Sequence, residues 1–169
     1  YFNRFYFVRP DGATVHYDKR HLFTYGGEHK EYTGGDRRVI AEYKGWRILL
    51  QVCYDLRFPV WSRNRDDYDM ILYVASWPTP RVEAWNALLK ARAIENVCYV
   101  AGVNRVGDDP NCNYCGGTVL LDFLGKPLAD AGTGGQPATL SAEADKISLT
   151  TFREKFPALQ DADPFTLNI

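Results

Sequence analysis

Three short stretches of the chain are apolar at almost every position: WRILLQVC (46–53), MILYVAS (70–76) and CYVAGVN (98–104). A strand with one face in water alternates apolar and polar residues, whereas a strand covered on both faces does not. These stretches therefore predict three buried strands, in a sheet that needs a layer of structure on each side. Between the second and third, Thr79-Pro80 opens a helix, with proline at the first helical position where its missing N–H does no harm. Apolar residues then recur at Ala84, Leu88, Ala91 and Ile94, leaving Glu83, Lys90 and Glu95 for solvent, which predicts a helix over 80–96.

Hairpins flank this centre. NRFYFVRPDGATVHYDK places Pro10-Asp11-Gly12 between aromatic and branched residues, predicting a hairpin from Asn3 to Tyr17. RRVIAEYKGWRILLQVC predicts a second, turning at Lys44-Gly45, and the glycine-rich HLFTYGGEHKEYTGGD between them reads as a loop. FPVWSRNRDDYD predicts a short helix, and GGTVLLDFLGKPLADAG a strand with a turn at 124–126. ATLSAEADKISLTTF predicts the last strand or two, and the polar tail from Arg153 an extended arm. The pattern is that of an α/β layered sandwich forming one domain over residues 1–169, with loops at the carboxyl ends of the buried strands.

The net charge of −1 provides no field to attract nucleic acid or an anionic membrane. No apolar run reaches the length of a membrane span. The four cysteines, Cys53, Cys98, Cys112 and Cys115, are too few and too unevenly placed for a disulfide framework, so a reducing, cytoplasmic setting is expected. The opening YFNRFYFV already reads as a strand, without Met or lead-in, and the chain is expected to be the carboxyl-terminal portion of a longer one.

Cys53 stands where a buried strand gives way to Tyr54-Asp55-Leu56-Arg57-Phe58-Pro59. A nucleophile there is held rigidly, and the N–H groups that follow, starting with Tyr54, point toward an oxyanion formed on it; a thiol that only packs a core is the alternative. Lys19, after the first hairpin, is either a solvated lysine or an ammonium that favours a nearby thiolate. Glu28 and Glu31 share a glycine-flanked loop that can bring a carboxylate inward. His16, His21 and His29 leave a Cys–His dyad open. Cys112-Asn113-Tyr114-Cys115 has metal or redox spacing, but a zinc site needs two more ligands and no second such motif exists.

Taken together, DKRHLF, the Glu28 loop, VCYDLRFPVW and ARAIENVCYVAGVNRVG resemble the nitrilase (carbon–nitrogen hydrolase) superfamily, most closely its omega-amidase branch, in wording, order and spacing from Asn3 through Phe165. The resemblance implies a four-layer α-β-β-α sandwich and a Glu–Lys–Cys triad supported by a second glutamate. It assigns Cys53 as nucleophile, Lys19 as triad lysine, Glu28 as second glutamate and the Tyr54 N–H to the oxyanion hole. The triad glutamate belongs on a strand–helix segment that precedes residue 1, so the sandwich here is expected to lack that segment.

The implied reaction is hydrolysis of the terminal amide of a small carboxylic acid, 2-oxoglutaramate or a related monoamide, through a cysteine acyl-enzyme, with no metal and no organic cofactor. Relatives that cleave N-carbamoyl amino acids place paired arginines after Cys-x-Asp; here the pair reads Leu56-Arg57. Arg57 is the candidate partner for a substrate carboxylate, unless Asp55 holds it in an ion pair. Trp77 is the candidate pocket wall, with Trp85 and the Cys112–Cys115 loop beside it. A small amide is the expected partner and a homodimer the expected assembly, with the 80–96 helix either pairing the subunits or only covering the sheet. The alternatives are an N-carbamoyl amino acid hydrolase or other amidase of the family, and a non-catalytic interaction module of the same fold.

Overall fold

The structure, a computed structural model, describes residues 1–167. Strands β1 (Arg4–Val8) and β2 (Thr14–Asp18) form the first expected hairpin, pairing Phe5 with Tyr17 and Phe7 with Val15. Strands β3 (Ile40–Tyr43) and β4 (Trp46–Val52) form the second. Its turn residues Lys44 and Gly45 both have positive φ, +48° and +78°, the combination that matches the twist of paired strands. A one-turn helix α1 (Pro59–Ser62) leads to β5 (Met70–Ala75), helix α2 (Val82–Glu95) and β6 (Tyr99–Asn104). Strands β7 (Val106–Asp108) and β8 (Asn113–Cys115) make a small separate hairpin. Strands β9 (Val119–Leu121) and β10 (Pro127–Asp130) follow, and helix α3 (Lys146–Lys155) comes last.

Six strands form one mixed sheet in the order β10-β9-β6-β5-β4-β3, with β4, β5 and β6 parallel at its centre. Those three are the continuous apolar stretches, and each face is covered as their composition demands. On one side Leu49, Ile71, Tyr73 and Val100 meet Trp85, Leu89 and Ala93 of α2. On the other, Ile48, Leu50 and Val52 meet Phe5, Phe7, Val15 and Tyr17 of the first hairpin. A helix, a sheet and a second, two-stranded sheet therefore stack in that order. The helix rides directly on β6 because residue 102 is glycine, where a β-carbon would collide with Leu89 and Trp85. No helix among the described residues is long and apolar enough to cross a membrane.

Three expectations need correction. The 80–96 helix begins with a 3₁₀ turn, Thr79–Arg81, and its buried stripe is Trp85, Leu89, Arg92 and Ala93 rather than the stripe through Ala84 and Ile94, the latter being 50% exposed. A buried Arg92 within the apolar stripe hid this phase. The last strand expected within ATLSAEADKISLTTF is helix α3. Its branched residues favour a strand, but Asp145 caps the helix, its carboxylate accepting the Ile147 and Ser148 N–H groups at 2.8 and 3.2 Å. Leu149 is then driven inward onto Val97 and Tyr99. The tail's first residues, Arg153–Lys155, belong to this helix rather than to an extended arm.

Helix α3 closes the end of the sheet where β4, β5 and β6 begin, packing near Trp46, Met70 and Tyr99. Asp69, just before β5, anchors it. This buried carboxylate accepts from the Arg47 guanidinium (2.9 Å) and N–H (3.1 Å), and pairs with Lys146 (3.1 Å) and Arg153 (3.2 Å) of α3. Burial pushes its pKa up, but these partners outweigh burial and hold it at about 2.

Candidate active site

The candidate site lies at the opposite end of the sheet, outside the carboxyl ends of its parallel strands, where open α/β sheets favour ligands. Strand β4 runs into Cys53, which adopts φ +46° and opens a 3₁₀ turn through Arg57. Left-handed backbone is unusual for a residue with a side chain and persists only where its surroundings enforce it. Here Asp55 enforces it: its carboxylate accepts the Val52 N–H (3.1 Å), the Tyr17 hydroxyl (2.8 Å) and the His21 N–H (3.0 Å). From behind, Arg92 of α2 donates to the Leu56 carbonyl at 2.6 Å.

Lys19 follows β2 between Tyr17 and His21, the two residues bound to Asp55, so one carboxylate positions both the lysine and the cysteine segments. The Lys19 side chain is 3% exposed and its Nζ lies 2.5 Å from Glu28 Oε2. Glu28 is turned inward after Gly27, which has φ +77°, and also accepts from Asn3 Nδ2 (3.0 Å) and the Phe23 N–H (2.6 Å). Burial pushes the Glu28 carboxyl up, yet Lys19, Asn3 and the Phe23 N–H outweigh it and hold it below the usual range. Burial likewise pushes the Cys53 thiol up, while the Lys19 charge opposes that shift. The sulfur donates toward the Ser76 carbonyl, beyond β5, at 3.9 Å.

One cleft of about 510 Å³ is lined by all six residues singled out from the sequence: Lys19, Glu28, Cys53, Tyr54, Arg57 and Trp77. The Tyr54 amide belongs to the opening turn, whose first N–H groups have no carbonyl partner within the turn. Arg57 is exposed and lies 5.0 Å over the Trp77 ring. Asp55 is committed to Tyr17, His21 and Val52, so the alternative of an Arg57–Asp55 ion pair is not what forms. Trp77 is fixed by Asn104, which bonds both its N–H (2.7 Å) and its carbonyl (3.0 Å).

Other candidates lie elsewhere. Trp85 is fully buried behind Trp77, its indole N–H donating to the Gly117 carbonyl at 2.8 Å. Cys112 and Cys115 are free thiols at the β7–β8 hairpin, outside the cleft. Among the described residues, no group of three or more His, Cys, Asp or Glu side chains is placed to hold a metal ion. His21 bonds Asp55 (2.8 Å) and stacks on Phe58, and neither it, His16 nor His29 lines the cleft, so no Cys–His dyad forms there among the described residues. Glu31 is exposed on the loop surface. Sequence reasoning passed over Asn3, Arg81, Arg92 and Asn104, whose roles depend on contacts between distant segments. An asparagine closing an apolar strand was the one available signal, at Asn104.

"Omega-amidase YafV" of Yersinia enterocolitica is 57% identical over 166 residues, 98% of this chain and 64% of the relative. "2-oxoglutaramate amidase" of Bacillus subtilis is 33% identical, covering 95% of this chain and 62% of the relative. The crystal structure of XC1258 from Xanthomonas campestris, a CN-hydrolase superfamily protein with an arsenic adduct in its active site, superposes with a TM-score of 0.92. It is 49% identical, over 99% of this chain and 66% of that one. The chain thus spans a little under two thirds of the length of these relatives. The family model for carbon-nitrogen hydrolases matches residues 1–154, and the chain belongs to that family.

Proposed function

We propose that the protein is an omega-amidase: a thiol-dependent hydrolase that cleaves the terminal amide of a small carboxylic acid, 2-oxoglutaramate or a related monoamide, and releases ammonia. The observation that carries this is the buried Lys19–Glu28 pair in the same cleft as a cysteine held at φ +46°. Relatives named omega-amidase and 2-oxoglutaramate amidase support it.

In the proposed reaction, the Cys53 thiol gives up its proton as the sulfur attacks the amide carbon, forming the C–S bond while the carbonyl electrons move onto oxygen; that proton is the one the leaving nitrogen later accepts. The Lys19 ammonium and the Tyr54 N–H stabilise that oxyanion. Collapse breaks the C–N bond, and nitrogen leaves as ammonia after accepting a proton. Water then attacks the thioester, releasing the acid and restoring the thiol. Glu28 holds Lys19 in place and aimed; with three donors holding it as a carboxylate, it is poorly suited to deliver the proton. The resemblance gives that task to a further glutamate outside these residues.

Leu56, where a second clamping arginine would stand, is fully buried in the core, which disfavours the N-carbamoyl amino acid alternative. A cytoplasmic setting and a homodimer are proposed alongside. Ammonia release from a monoamide by the full-length protein, compared with its Cys53→Ala variant, tests the activity. A loss of at least a thousandfold is expected. Undiminished turnover in the variant would remove Cys53 from the chemistry.

A further inference from the structure

The cleft carries more positive charge than the proposed chemistry uses. Lys19 and Glu28 neutralise one another, leaving Arg57, from the turn after Cys53, and Arg81, from the turn that opens α2. Neither guanidinium is in an ion pair among the described residues. Arg4, Arg38, Arg47, Arg92, Arg105 and Arg153 reach a carboxylate; Arg9, Arg20, Arg37, Arg63 and Arg65 do not, but none of these five lines the cleft, so Arg57 and Arg81 are the cleft's own uncompensated cations among the described residues. Instead each cleft arginine lies over a ring, Arg57 at 5.0 Å from the Trp77 centroid and Arg81 at 5.5 Å from that of Phe23. Stacking of this kind holds a guanidinium in place while its edge N–H donors stay available to an acceptor. The two are also mechanically joined, because the Trp77 indole N–H donates to the Arg81 carbonyl at 2.7 Å. Two unpaired, ring-supported guanidiniums facing one cleft, in a chain of net charge −1, form a site built for an anion.

We propose that Arg81 is a specificity residue which, together with Arg57, selects amides carrying a carboxylate at the end remote from the amide. This inference rests on the amidase reading and adds to it a second, independent contact for the anionic end. One guanidinium takes a carboxylate edge; the second meets its other oxygen or an adjacent oxo group, so a 2-oxo acid or dicarboxylic acid monoamide fits better than an uncharged amide.

The test measures kcat/KM of the full-length protein for succinamate and for butyramide, which share a four-carbon chain and differ in the terminal charge. Arg81→Gln is expected to lower the succinamate-to-butyramide ratio of kcat/KM by 10- to 100-fold, mainly through KM for succinamate. Arg81→Lys, which keeps the charge, is expected to retain part of the ratio. An unaltered ratio, including one in which the variant loses both amides alike, overturns the inference and leaves the amidase reading in place. Wild-type protein that hydrolyses neither amide removes both.

Discussion

Cys53 and Lys19 line the same cleft, and the lysine charge acts on the thiol. Burial disfavours the thiolate, and the ammonium that Glu28 holds in position is the largest influence in its favour. The net shift is upward from the ordinary thiol range, burial outweighing the lysine charge. Alkylation by iodoacetamide, followed on the Cys53 peptide, is therefore expected to accelerate with an inflection above that range. Lys19→Met removes the favourable charge and leaves Glu28 unbalanced, so the inflection moves higher; each unit slows alkylation at neutral pH by about tenfold. An inflection that stays put in the variant would mean that Lys19 does not act on the sulfur. The identities of both residues were legible in the sequence, but the strain at Cys53 was not. It arises from Asp55 reaching back to Val52 and across to Tyr17 and His21, contacts that no local pattern encodes.

Elements were legible where a local signal and the tertiary environment agreed. The apolar runs at 46–53, 70–76 and 98–104 became β4, β5 and β6, and the Lys44-Gly45 turn formed as its chemistry requires. Helix α3 was hidden because its branched residues favour a strand, and only the Asp145 cap and the burial of Leu149 select a helix. Its docking through Asp69 has a pH signature. The folded-state pKa of about 2 lies below the ordinary carboxylate value, so the stabilisation is fully present above about pH 4 and is lost as pH falls toward 2. A shift of that size corresponds to about 2 kcal/mol. Asp69→Asn is expected to lower unfolding stability by roughly that amount at pH 7 in urea titrations, and to differ little from wild type near pH 2. A deficit that persists unchanged at pH 2 would show that ionisation is not what anchors α3.

Across the whole molecule, stability and chemistry occupy opposite ends of one sheet. Helix α3 and the Asp69 cluster close the amino ends of the parallel strands; the cleft opens at their carboxyl ends, where Cys53 and Ser76 follow β4 and β5 and Asn104 ends β6. The first hairpin covers the sheet and also delivers Lys19, so packing of Tyr17 onto the core is what brings ammonium and thiol into one cleft. The α/β class and six cleft residues could be read from the order of motifs. The mouth of the cleft could not, because Arg81 and Asn104 act through a Trp77 segment far from Cys53 in sequence. On the proposed chemistry, Cys53 forms a covalent acyl intermediate. Acid-quenching the full-length protein during its first turnovers of succinamate, then mapping peptides by mass spectrometry, tests this directly. The prediction is a succinyl group on the Cys53 peptide that appears with the first ammonia released; ammonia release with that peptide unmodified at every quench time would contradict it.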